Sequence, residues 1–186
     1  MLINESINGF RFRSMTIDDK DLFFVLQAES SVVADFYNKY PEMLLISMSR
    51  HLNDANEHDV VVFQEPDEEF IGICSFQRIQ GPSLELGYDV IKEKRGKGIG
   101  TEMVRGFIML AYAHFSGREI TIRIREENRA SRRVAEKCGA IFVGMADAPE
   151  VETIQRLLDE NAKMSPAEEA KAAMERGQNA VRVYKV

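Results

Sequence analysis

The stretch KEKRGKGIGTEMVRGF, residues 92–107, constrains the fold more than any other part of the chain. It sets Gly96, Gly98 and Gly100 at alternate positions, directly before a run whose apolar residues 99, 103, 104, 107, 108, 111 and 115 recur at helical spacing. Before it, LELGYDVI (84–91) has the composition of a strand. The order is therefore strand, glycine turn, amphipathic helix. The first amides of such a helix have no helical acceptor and lie at the positive end of its dipole. That arrangement binds phosphate oxygens. Glycine there lets the backbone approach a ligand closely. Arg95 and Lys97 add charge, so the segment reads as a cradle for a diphosphate.

The remaining pattern surrounds this unit with strands. FRFRSM (10–15) alternates as a half-buried strand, and Thr16 or Asp18 caps a helix that runs through about Ala28. A second helical stretch runs from Val32 to Tyr40, and Pro41 opens a third, to about Leu52. VVVFQ (60–64) and FIGICSFQ (70–77) form a hairpin across EPDEE. EITIRIR (119–125) places Ile120, Ile122 and Ile124 on one face. Asn128 is an N-cap for a helix through Lys137, stopped by Gly139. AIFVGMA (140–146) and AVRVYKV (180–186) are strands. Between them residues 149–176 read as two helices, the second opened by the capping box Ser165-Pro166-Ala167-Glu168. The expected fold class is α/β (α+β), a mixed central sheet with helices on both faces. A chain of 186 residues makes one such domain over 1–186, with a helical insertion at about 149–178 before the last strand.

The formal net charge of −6 argues against a nucleic-acid binder, whose footprint is a basic surface. No apolar run is long enough to span a bilayer and no secretory signal opens the chain, so a cytoplasmic protein is expected. Cys74 (ICSF) and Cys138 (EKCGA) lie in apolar contexts and read as buried free thiols. The three histidines share no metal-type spacing, His114 falls on or near a helix end, and no metal site is assigned.

Neither the nucleoside-triphosphate loop nor the Gly-x-Gly-x-x-Gly dinucleotide fingerprint fits Arg95-Gly96-Lys97-Gly98-Ile99-Gly100. The run does resemble the Arg/Gln-x-x-Gly-x-Gly/Ala loop of the GNAT acetyltransferase superfamily, which holds the pyrophosphate of acetyl-coenzyme A. LELGYDV (84–90) resembles the preceding family strand. Asn128-x-x-Ser131, with Glu136-Lys137-Cys138-Gly139, resembles the following helix in the branch that acetylates protein N-termini, notably of ribosomal proteins. These motifs cover residues 84–142. The resemblance implies a mostly antiparallel sheet of about seven strands. It also implies acetyl transfer from acetyl-CoA to a primary amine by direct attack in a ternary complex.

The same resemblance assigns roles. Arg95, Gly96, Lys97, Gly98, Ile99, Gly100 and Thr101 hold the diphosphate. A bulge compatible with Gly87 splays the central strands, and backbone near Tyr88, Asp89 and Val90 polarises the thioester carbonyl and pairs with the pantetheine arm. Tyr88 itself reads equally as a packed aromatic. Glu85 is the candidate base for the ammonium acceptor, with a solvent-facing or arginine-bound glutamate as the plain alternative. Ala135 stands where many relatives place a tyrosine acid, which leaves Ser131 or a water to protonate the thiolate; a surface hydroxyl is the alternative for Ser131. Asn128 caps its helix and touches the pantetheine arm, or caps alone. Arg129, Arg132, Arg133 and Lys137 form a basic face that meets the adenosine 3′-phosphate or solvent.

The acceptor is a small-molecule or peptide amine, and an acidic protein weakly favours cationic ones. The insertion covers the acceptor site, builds a homodimer face, or has no binding role. A monomer fits as well. A domain that binds acetyl-CoA without catalysis is the alternative function.

Overall fold

The computed structural model describes residues 1–30, 39–146 and 181–186. The helical stretch expected over 32–40 and the insertion expected over 149–178, with its capping box, lie largely or wholly outside these residues. Among the described residues eight strands form one sheet in the order β1-β2-β3-β4-β5-β6-β8-β7. They are β1 Asn4–Ile7, β2 Phe10–Ser14, β3 Glu57–Gln64, β4 Glu69–Gln77, β5 Ser83–Val90, β6 Glu119–Arg125, β7 Ile141–Ala146 and β8 Val181–Lys185. Only β5 and β6 pair in parallel; every other neighbour is antiparallel. Four helices are described: α1 Lys20–Ser30, α2 Pro41–Asn53, α3 Ile99–His114 and α4 Arg129–Lys137. Among the described residues no helix is long and apolar enough to cross a membrane.

The sheet is therefore one strand larger than expected. The extra strand is β1, NESI, which is short, polar at every position but Ile7, and carries little apolar signal. It holds through main-chain pairing with β2, from Asn4↔Arg13 to Ile7↔Phe10.

The two faces of the sheet carry different cores. On one face α3 buries Met103, Val104, Phe107, Leu110 and Ala111 against Phe12, Phe76, Leu84, Leu86 and Ile122. Phe107 meets the Phe76 ring at 4.5 Å and the Phe12 ring at 6.2 Å between centroids. Each buried Val, Leu, Ile, Phe or Met of this core contributes about 1.5–3 kcal/mol through area removed from water. On the other face α1 and α2 bury Phe23, Leu26, Leu44 and Met48 against Val61 and Ile73. The strict alternation of EITIRIR sends Ile120, Ile122 and Ile124 to the first core and turns Thr121, Arg123 and Arg125 to the opposite face.

Local signals set the helix ends. Thr16 precedes a short 3-10 turn, Ile17–Asp19, that leads into α1. The Asp19 carboxylate accepts from the Thr16 amide at 2.8 Å and is gripped by both Nη groups of Arg13. Pro41 occupies the first turn of α2, where a missing N–H costs nothing. His114 ends α3, and its Nε2 lies 2.6 Å from Glu5 Oε1. Cys74 is buried as expected; Cys138 is only half-buried, and its thiol donates to the Thr101 carbonyl at 3.6 Å.

Candidate active site

β5 ends at Val90, a 3-10 turn follows over Lys92–Lys94, and α3 begins at Ile99. Gly98 is the N-cap of α3, with φ +83°, and Gly96 has φ +74°. Both lie in the left-handed region that L side chains avoid. Nothing stands within 4 Å of where a Cβ would project from either. The turn thus leaves open space in front of the helix. The first helical hydrogen bond is made by the Thr101 amide to the Gly98 carbonyl at 2.9 Å. The amides of Gly98, Ile99 and Gly100 precede it, so they are the open donors of the cradle. A Cβ on Gly100 would come within 3.3 Å of Val90 Cγ2, so this glycine sets the helix close to the strand end.

The predicted diphosphate residues are brought together, with two qualifications. Arg95 turns its guanidinium inward: Nε donates to the Val90 carbonyl at 2.8 Å, and Nη2 lies 4.0 Å from Glu29 of α1. It braces the turn, while the exposed Lys97 carries charge outward. Thr101 is buried, with its amide engaged inside the helix.

Upstream, β5 forks from β6. The two pair only at Ser83↔Glu119, Leu84↔Ile120 and Glu85↔Thr121. Beyond Thr121, β6 pairs with β8 through Arg125↔Val181. Among the described residues β5 continues to Val90 beside β4 alone. The Thr121 hydroxyl donates to the Leu84 carbonyl at 3.2 Å at the fork's apex, so even-numbered β5 residues turn their peptide groups toward β6. Past the apex, the N–H groups of Tyr88 and Val90 therefore face a gap with no strand beside them among the described residues.

The expected bulge at Gly87 is not there. β4 and β5 stay in register from Gln77↔Glu85 to Gly72↔Val90. The fork opens because β6 leaves, not because β5 buckles. An irregularity does occur one strand away, where Ile71 is an extra residue between Val62↔Gly72 and Phe63↔Phe70.

Side chains close both faces of the fork. Tyr88 packs against the α3 core, and its hydroxyl donates to the Ser131 carbonyl of α4 at 2.9 Å. Burial pushes the phenol well above its ordinary pKa, so it stays a donor. On the other face Glu85 is 4% exposed. Its Oε2 lies 3.1 Å from Nε of Arg78 and 3.1 Å from Nε of Arg123. The solvent-facing reading of Glu85 therefore fails, and the arginine-bound geometry is the one present. Neither arginine was singled out in the sequence. The available signal was the alternation of EITIRIR, which turns Arg123 to the face that Glu85 shares.

Asn128 caps α4: its Oδ1 accepts from the Ser131 amide at 3.0 Å. Arg105 of α3 closes the other end, donating to the Lys137 carbonyl at 3.0 Å. Ala135 is buried, Ser131 half-buried, and Arg129, Arg133 and Lys137 exposed. Asp89 lies exposed on the face opposite Tyr88.

Comparison with known proteins points the same way. Residues 10–141, well over half of the chain, match the acetyltransferase (GNAT) domain family. "Probable N-acetyltransferase YjcK" of Bacillus subtilis (strain 168) is 34% identical over 98 residues. That match covers 51% of this chain and 54% of the relative, so the chain spans about half the length of the curated relative it matches. Among solved structures, spermidine N-acetyltransferase from Vibrio cholerae, in complex with CoA and spermine, superposes with a TM-score of 0.67. Its identity is 15%, over 97% of this chain and 96% of that one. Ribosomal-protein-S5-alanine acetyltransferase from Vibrio fischeri gives 0.61 at 14% identity, over 99% of this chain and 96% of that one. At these identities the two structures speak for the fold alone.

Proposed function

The chain belongs to the GNAT acetyltransferase family, and from that premise we propose that it moves an acetyl group from acetyl-CoA to a primary amine by direct attack in a ternary complex. The observation that carries this reading is the juxtaposition of an open cradle at the start of α3 with a fork between β5 and β6.

The order along the chain supports it. A diphosphate at the amides of Gly98, Ile99 and Gly100 sits at the Val90 end of β5. An arm running from there along the fork would meet the outward amides of Val90 and Tyr88. Such amides pair with a pantetheine chain as a missing strand would, and one of them can donate to the thioester oxygen as charge develops there. Asn128 and Ser131, at the start of α4, flank the same gap through the Tyr88–Ser131 contact.

An alkyl ammonium ion must lose a proton before it attacks. Two guanidiniums engage one oxygen of Glu85, so a proton acceptor at that carboxylate would have to compete with both. The arginine-bound reading fits this geometry better, and water is then the carrier of the proton. The Ser131 hydroxyl, or a water beside it, is the donor we assign to the departing thiolate. Acceptors of two kinds, spermidine and a ribosomal protein, are named by the solved structures of the same fold, and the choice between them belongs to experiment.

The test is calorimetric titration with acetyl-CoA, followed by thiol release with a panel holding spermidine, spermine and short peptides with free α-amines. Binding with thiol release on at least one amine supports the reading. Binding with no release on any of them favours a non-catalytic acetyl-CoA module, and no binding removes both.

A further inference from the structure

Two contacts cross the fork, one on each face of the sheet. On the α1/α2 face, Glu85 is the last β5 residue with a strand partner toward β6, and that partner is Thr121. Its carboxylate reaches beyond Thr121 to Arg123, which already stands opposite Val183 in the β6–β8 pair. Arg78, just past the end of β4, holds the same oxygen from behind. On the α3/α4 face, Tyr88 lies three residues further along β5 and donates to Ser131 of α4. Each contact therefore starts on the arm that β5 makes. Each ends on the other arm, formed by β6 and the helix that follows it.

We propose that these two contacts are braces that fix how far the fork opens, and that Glu85, Arg123 and Tyr88 are positioning residues for the thioester carbonyl. This rests on the acetyl-CoA reading above. A strand released along one edge loses the ladder that would otherwise set its twist. Its outward amides then point wherever the arm happens to lie. Hydrogen bonds weaken steeply as the donor angle falls, and a displacement of about 1 Å can cost on the order of 100-fold in rate.

The braces supply what the ladder no longer does. Glu85–Arg123 is an ion pair at 3.1 Å in a buried place, where little water screens the attraction. The Tyr88 ring is held by the α3 core, so its hydroxyl has little freedom to leave Ser131. One brace at the apex and one further out constrain the spread and the twist of the arms together. On this assignment Glu85 acts through the backbone it aligns and does not itself take the proton.

The test uses the full chain with acetyl-CoA labelled with 13C at the acetyl carbonyl. The carbonyl resonance is recorded free, then bound to the unaltered chain and to Tyr88→Phe, Glu85→Gln, Arg123→Gln and Arg123→Lys. A carbonyl that accepts from an amide moves downfield on binding. Braces of this kind predict that the first three variants lose most of that displacement while acetyl-CoA affinity changes less than about threefold. Arg123→Lys, which keeps the ion pair, restores it. Variants that retain the full displacement overturn the braces. So does a displacement lost only in step with the thermal midpoint, because the contacts would then hold the fold and not the carbonyl. An unaltered chain that binds acetyl-CoA but leaves its carbonyl at the free resonance overturns the braces alone; a chain that binds none overturns the cofactor reading as well.

Discussion

Along one edge of β5, β4 keeps pairing from Glu85 to Val90; along the other, β6 has left after Glu85. The same strand is thus a closed ladder on its left and an open comb of amides on its right. The closed edge is where the sheet is held. The open edge is where a ligand can be met by main chain. A strand does both only if its conformation comes from one neighbour and its exposed groups are left for another molecule. The cradle at α3 extends the open edge by the same means, since it too offers amides that the fold has not used.

If the closed edge carries stability, damage there should cost the most. A Cβ on Gly72 would overlap the Asp89 carbonyl across the β4–β5 pair, and that oxygen is backbone with no flexible end to move. We expect Gly72→Ala to destabilise the chain by about 3 kcal/mol, read by denaturant unfolding. A loss below measurement would mean that the two strands are not held this closely.

Damage to the cradle should do the converse. Gly98→Glu forces a side chain into a φ of +83° and sets a negative charge in front of open amides. Acetyl-CoA affinity should fall at least about 100-fold, some 2.7 kcal/mol, by calorimetry. Unchanged affinity would remove the diphosphate from this place.

Asn128 stands between the two behaviours. If it only caps α4, Asn128→Ala costs about 1 kcal/mol of stability and leaves affinity alone. A further loss of affinity, corrected for stability, would add the pantetheine contact to its role.

The smallest effect is expected two strands away, on the closed side of β5. His51 of α2 has Nδ1 3.3 Å from Asp59 and 3.1 Å from Glu57. Burial opposes its charge, but Asp59, Glu57 and Asp54 outweigh it and raise the pKa above the ordinary histidine value. The stabilisation is then complete below about pH 6.5 and is lost as pH rises through the folded value. His51→Asn should flatten that part of the stability profile without moving acetyl-CoA affinity. A change in affinity would show that β3 is coupled to the open edge of β5.

The parts written in periodicity or in special residues were legible. The Gly96-x-Gly98-x-Gly100 run marked the turn, Asn128 the start of α4, Pro41 the start of α2, and the isoleucines of EITIRIR the buried face of β6. What depended on partners distant in sequence was not. Glu85 stands 38 residues before Arg123, and only the brief parallel pairing of β5 with β6 brings them together. Tyr88 looked like a packed aromatic and is one, but the carbonyl it reaches lies on α4. Gly87 suggested a bulge because glycine permits one. The strand stays in register with β4 through Gly87, and the Gln77 amide lies 3.3 Å from where a Cβ would stand.

Amide hydrogen exchange, followed by mass spectrometry on the full chain with and without acetyl-CoA, tests the open edge most directly. The amides of Tyr88 and Val90 and those of 98–100 should slow on binding, and those of β3 and β4 should stay unchanged. Binding that protects neither segment would contradict the fork and the cradle together.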